Sequence, residues 1–243
     1  AATNTAVGYN ALGASTTGAA NTAVGAYALD ANTTGANNVA VGKGALTTAT
    51  TVSDNTAVGI SAMESTTGAD NTGLGSAALY TNSSGAGNTA VGKFALKANT
   101  TASNNTAVGS SALAANTTGA SNAAFGYNAL GANTSNNSAF GFGALDANTT
   151  GTSNVAVGYG ALTTASTADN NTAVGYNALS SNTGAGNTAL GKEALTTCST
   201  GGSNVAIGNV ALAANSSGAQ NIAIGDTALN DNTTANGNIA IGY

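Results

Sequence analysis

Histidine, tryptophan and proline are absent from these 243 residues, and cysteine occurs once. Without histidine, acid–base chemistry would fall to carboxylates, lysines and tyrosines. The nine acids (Asp30, Asp54, Glu64, Asp70, Asp146, Asp169, Glu193, Asp226 and Asp231) are scattered singly along the chain. No converging pair or triad is visible, so the chain does not read as an enzyme. No His/Cys cluster or calcium-loop pattern is present, and glycine never falls in a dinucleotide or phosphate-loop spacing. No metal or cofactor is therefore expected. The lone Cys198 excludes an intrachain disulfide framework; it stands in TTCST, where other repeats carry Asn or Ser, and reads as one small residue replacing another.

Charge is scarce as well. Charged residues are 5% of the chain, against roughly 25% in ordinary soluble domains. Four lysines (Lys43, Lys93, Lys97 and Lys192) against nine acids give a net charge of −5. That offers no cationic surface for nucleic acid. Lys192 and Glu193 are adjacent and read as a solvated ion pair. No apolar run approaches the ~18–20 residues that span a bilayer, so no membrane insertion is expected. No basic-then-apolar leader opens the chain, which begins AATNTAVG without Met and reads as a processed product or an excised part.

What is present is repetition. NTAVGYNAL stands at 4–12 and again at 171–179, and NAAFGYNAL at 122–130. Aligned on its Asn, the unit recurs from Asn4 to Asn238 with a spacing of 17 in eleven of fourteen intervals, 16 in two and 15 in one. Residues 1–243 read as one repeat array with no linker. Numbering each repeat from its Asn, position 5 is Gly in all fifteen copies and position 8 is Ala in all fourteen. Position 9 is Leu except for Met63; position 3 is Ala except for Gly73; position 4 is always Val, Ile, Leu or Phe. Positions 10–17 vary and absorb the length changes, as a surface loop does.

Seventeen residues are too few for a helix pair, and recurring Gly with N-T-T-G clusters would break a single helix every turn. N-T-A-V-G reads as a short strand closed by Gly, and the Ala-Leu pair as a second short strand or a bend. Stacking such coils about 4.8 Å apart gives an all-β fold, a parallel β-solenoid (β-roll) of about fourteen 17-residue coils. Each position then becomes a column. Position 5 suits a positive φ or a close backbone approach. Position 1 suits a buried amide ladder. The structural core is expected at Leu12, Leu29, Leu46, Leu96, Leu113, Leu130, Leu162, Leu179 and Leu212. Side chains 2 and 4 point away from 1, 3 and 5. One coil core buries only one of these faces, so the other needs a second sheet or a second chain. Neither end carries a polar cap, so a longer parent chain, a capping domain or end-to-end assembly is expected.

The repeated N-x-A-(V/I)-G-x-x-A, as in NVAIGNVAL (204–212) and NIAIGDTAL (221–229), resembles the head repeat of YadA-like trimeric autotransporter adhesins and related phage tail-fibre repeats. The resemblance covers every repeat, although the unit here is longer than the coil usual in that head. It implies a left-handed β-roll assembled as a homotrimer, serving as an extended attachment structure at a cell surface or on a virion tail fibre.

Two columns read as surface chemistry. Position 6 holds Tyr127, Phe142, Tyr159 and Tyr176 in successive coils, with Tyr9 and Tyr243 near the ends. These are candidates for contact with a surface glycan, a host receptor or another fibre; mere rung-to-rung stacking is the plainer reading. Asn32, Asn82, Asn99, Asn116, Asn133, Asn148, Asn215 and Asn232 head N-(T/S)-(T/S) loops, which would be exposed glycan acceptors in a glycosylating pathway. The function these residues favour is a structural or adhesive fibre segment outside the cell. Alternatives are a self-assembling extracellular filament and an ice-binding solenoid, the latter disfavoured because position 4 is apolar where a second Thr column would be wanted.

Overall fold

A computed structural model describes residues 3–132 and 134–243; Asn133 of the sequon column lies outside the described residues. The chain divides into two compact units, residues 1–122 and 123–243. Every regular element among the described residues is a three-residue strand made of positions 2–4 of one repeat. The first unit holds β1 (Thr5–Val7), β2 (Thr22–Val24), β3 (Val39–Val41), β4 (Thr56–Val58), β5 (Thr72–Leu74), β6 (Thr89–Val91) and β7 (Thr106–Val108). The second holds β8 (Ala123–Phe125), β9 (Ser138–Phe140), β10 (Val155–Val157), β11 (Thr172–Val174), β12 (Thr188–Leu190), β13 (Val205–Ile207), β14 (Ile222–Ile224) and β15 (Ile239–Ile241). Within each unit the strands follow chain order, parallel and in register: Ala6 faces Ala23, and Ala156 faces Ala173. This is a β-solenoid in which like sits over like.

The ladder runs on past the strands, because each coil copies the backbone path of the last. Leu29 N–H donates to Ala45 C=O (3.0 Å), and Gly25 N–H donates to Val7 C=O (2.7 Å). Gly at position 5 serves both roles expected of it. Its φ lies between 127° and 143° throughout, and a Cβ on Gly175 would sit 2.3 Å from the Gly191 carbonyl oxygen.

The Ala-Leu pair forms a turn, not a second strand. Position 9 is left-handed in every coil, with Leu φ from 49° to 56° and Met63 at 53°. A non-glycine residue in that region costs roughly 1–2 kcal/mol. Burying a leucine returns about 1.5–3 kcal/mol, which offsets the strain. All nine leucines expected in the core are buried, eight fully and Leu12 at 8% exposure.

Asn at position 1 builds the amide ladder. Asn204 N–H donates to Asn187 Oδ1 (2.9 Å), Asn204 Nδ2 donates to the same oxygen (3.1 Å) and also to Gly218 C=O (2.9 Å). Each amide thus satisfies the next coil's backbone and ties two segments of the wall together, so a polar column sits inside at little cost.

Positions 10–17 correct the loop reading. Position 12 is buried from the second coil to the thirteenth wherever it is described: Asn32, Ala49, Thr66, Asn82, Asn99, Asn116, Asn148, Ala165, Asn182, Cys198 and Asn215 are all at 0% exposure. The N-T-T-G segment is a second wall of the core, whose backbone also stacks coil on coil, as Thr33 N–H on Thr50 C=O (2.8 Å).

Candidate functional site

The strand pleat divides the side chains. Ala at position 3 is fully buried, as at Ala23, Ala90, Ala156 and Ala206, while positions 2 and 4 turn outward. The outward column at position 4 is apolar in every coil and partly open to solvent: Val58 is 38% exposed, Val157 37% and Leu190 48%. Position 2 beside it is Thr, Val, Ile, Ala or Ser, and neither column carries a charge. Phe125 and Phe140 stack within this face, ring centroids 4.9 Å apart and planes 7° from parallel. Each unit therefore presents an uncharged strip, partly open to solvent, apolar along position 4 and, along position 2, mostly threonine in the first unit and mixed in the second. Of the two strand faces distinguished in the sequence, the inner one is position 3 and the outer one is positions 2 and 4.

The aromatic column lies in the second unit, after the Gly that ends each strand. Tyr127, Phe142, Tyr159 and Tyr176 stack in order with centroids 5.2, 5.1 and 5.4 Å apart and planes within 19° of parallel. Each remains about half exposed. Stacking turns ring faces toward each other, so the column offers ring edges to the surroundings. Tyr9 meets Tyr27 edge-on at 5.3 Å in the first unit; Tyr243 is almost fully exposed.

Beside the column runs a groove of about 220 Å³. Its floor is the backbone of Gly143 and Gly160 at position 7, and its walls are Phe142 and Tyr159 on one side and Asp146 and Thr163 at position 10 on the other. Thr163 Oγ1 donates to Gly160 C=O (2.5 Å). Partial burial pushes the Asp146 carboxyl above its ordinary range, since the charged form loses hydration there. The sequence reading found the rings but not Asp146 or the glycines. The available signal was glycine at position 7 next to an aromatic in two successive coils.

The sequon column is a correction. Asn32, Asn82, Asn99, Asn116, Asn148 and Asn215 are buried, not exposed. Each donates its Nδ2, the atom a glycan would need, to a backbone carbonyl three residues on, as Asn82 does to Gly85 (2.7 Å) and Asn148 to Gly151 (2.9 Å). Asn232 makes the same bond to Ala235 (3.1 Å) and is half-buried. The tight turn points the amide inward, where a backbone carbonyl takes its Nδ2 even though the Asn32 and Asn116 Oδ1 atoms stay without a partner among the described residues, so the folded coil withholds these acceptors.

Cys198 occupies the same inner column. Its Sγ lies 3.1 Å from the Gly201 carbonyl, and burial pushes the thiol up to about 11. The few charges sit on the outside. Lys192 and Glu193 pair at 3.8 Å on the surface. Lys93 and Lys97 place their ammonium groups 4.7 and 4.8 Å from the Phe94 ring centre. Tyr80 donates its hydroxyl to Glu64 (3.3 Å), whose negative charge holds the phenol above its usual range. Among the described residues no group of three or more Cys, Asp or Glu side chains could hold a metal ion, and no helix is long and apolar enough to cross a membrane.

Comparison with protein families, with curated proteins and with solved structures finds no match for this chain.

Proposed function

We propose that this chain is a structural, adhesive fibre segment: a β-roll that assembles as a parallel homotrimer through its strand face and works in attachment outside the cell, on a cell-surface adhesin or a virion tail fibre. The observation that carries the reading is the uncharged outward face, with an apolar, partly exposed column at position 4 in every coil beside a threonine-rich column at position 2. Exposed apolar surface of this continuity marks an interaction site. Its occupant has to carry an apolar row at the same pitch, about 4.8 Å per step, and a second copy of this chain is a molecule that does.

Three-fold symmetry suits two outward columns. Around such an axis each chain meets two neighbours through different patches, position 2 toward one and position 4 toward the other. The resemblance of NVAIGNVAL and its sister repeats to trimeric adhesin heads points to the same number and to a left-handed coil.

Sedimentation equilibrium of the intact chain tests the proposal. The expected mass is three times the 22.8 kDa of one chain. A mass of one chain at all concentrations would overturn it.

A further inference from the structure

Position 7 adopts a left-handed backbone whichever residue stands there. Asn128 (φ 51°), Asn177 (φ 51°), Glu193 (φ 54°), Val210 (φ 57°) and Thr227 (φ 54°) all hold it in the second unit. The turn therefore does not require glycine, and Gly143 (φ 61°) and Gly160 (φ 63°) have another consequence. Gly143 leaves out the side chain that would fill the space between the ring column and position 10, while over Gly160 that space is taken by the Asn177 side chain. A Cβ built on Gly143 meets nothing within 4 Å. The first unit repeats the relation: Gly44 (φ 66°) at position 7 floors a hollow of about 310 Å³ between Lys43 and Ile60 on one side and Thr47 and Glu64 on the other. Glycine at position 7 opens a groove both times, with a carboxylate from position 10 at its lip.

The second-unit groove has a defined height and chemistry. Asn128 holds position 7 in the coil before and the Asn177 side chain reaches back over Gly160, so the clear opening is the Gly143 coil, about 5 Å. The Asn177 Oδ1 leans over Gly160, 2.4 Å from where a Cβ would be. One wall is the edges of Phe142 and Tyr159, whose C–H rims carry the positive end of the ring quadrupole and favour oxygen lone pairs. The other wall presents the Asp146 carboxylate, which takes only donors.

We propose that this groove is a binding site for one neutral sugar ring of a glycan, seated over Gly143 against the Asn177 amide, with adjacent hydroxyls donating to Asp146. A hydroxyl-bearing ring supplies donors for the carboxylate and oxygens for the ring edges from neighbouring atoms. An anionic ligand would meet Asp146 with no cation in the lining to balance it. A cation loses its best aromatic contact, because stacking has covered the ring faces. At about 220 Å³ the groove is smaller than the ~300 Å³ at which pockets for larger ligands begin, which fits a single ring. This site deepens the attachment role proposed above and rests on it for the biological source of the glycan.

Saturation-transfer NMR on the intact chain tests it, with the methyl glycosides of glucose, galactose, mannose, fucose, rhamnose, xylose, N-acetylglucosamine and N-acetylgalactosamine, and with tetramethylammonium as the cationic control. At least one glycoside is expected to bind. Asp146→Ala and Gly143→Asn, residues the repeat already uses at positions 10 and 7, are expected to weaken that binding at least tenfold with unchanged circular dichroism. No binding by any glycoside, binding by tetramethylammonium alone, or binding untouched by both variants would overturn the proposal. Sedimentation mass of the same samples reports the trimer separately, so failure of the site and failure of the assembly are told apart.

Discussion

Met63 is the one residue other than Leu at position 9, and Gly73 the one other than Ala at position 3; the structure brings them together. A Cβ on Gly73 would stand 2.7 Å from Met63 Cγ and 3.0 Å from Sδ. The longer thioether occupies the space of the missing methyl, so the two departures from the repeat compensate each other. Gly73→Ala alone is expected to destabilise by about 1 kcal/mol, the low end for overpacking because Met bends. Met63→Leu alone leaves a void, and the double variant should recover the consensus packing. A double-mutant cycle by chemical denaturation should show coupling of about 1 kcal/mol, and additive effects would contradict the contact. Cys198 gives a second residue-scale expectation. Burial pushes its thiol from the ordinary 9.0 up to about 11. The buried neutral thiol therefore contributes stability that is whole below pH 9 and is lost as pH rises from 9 through 11. Relative to Cys198→Asn, the residue most common in that column, wild type should lose additional melting temperature across that window. A thiol reagent at pH 8 should leave folded Cys198 unlabelled.

At the scale of the coil, each element is one strand, one left-handed turn and one inward-facing return segment. Much of this is legible in the residues. The invariant Gly at position 5, the Asn column and the Ala-Leu pair each demand a particular place, and the structure puts them there. The return segment is not legible by composition, because N-T-T-G is what exposed turns are made of. Its signal is subtler: position 12 is Asn, Ala, Thr, Ser or Cys and never large or charged, as a tight inner column requires. The left-handed leucines are equally hidden, since propensity assigns that backbone to Gly and Asn. The groove beside Tyr159 escapes a reading of the residues because glycine looks like turn chemistry until the turn is seen to tolerate Val210 and Glu193. The amide ladder carries the element's sharpest prediction. Asn204→Ala removes the acceptor for the Asn221 N–H and Nδ2 and the donor to Gly218 C=O. Buried partners left unpaired should cost about 3 kcal/mol. Melting within about 0.5 kcal/mol of wild type would contradict the ladder's role.

For the whole molecule, the proposed function rests on the split of each strand into an inward Ala and two outward columns. Inward residues hold the coil; outward residues are the ones the proposal assigns to another chain. Val58 and Val157, one in each unit, belong to the outward set at 38% and 37% exposure. Glutamate at both positions leaves the core untouched but places charge in any interface built on that face. The measurement that decides is the sedimentation-equilibrium mass of the Val58→Glu, Val157→Glu variant beside wild type, with circular dichroism confirming the β-fold of both. The predicted result is three chain masses for wild type and the single-chain 22.8 kDa for a folded variant. A variant that keeps the trimer mass, or a wild type already at the mass of one chain, would contradict assembly through the strand face.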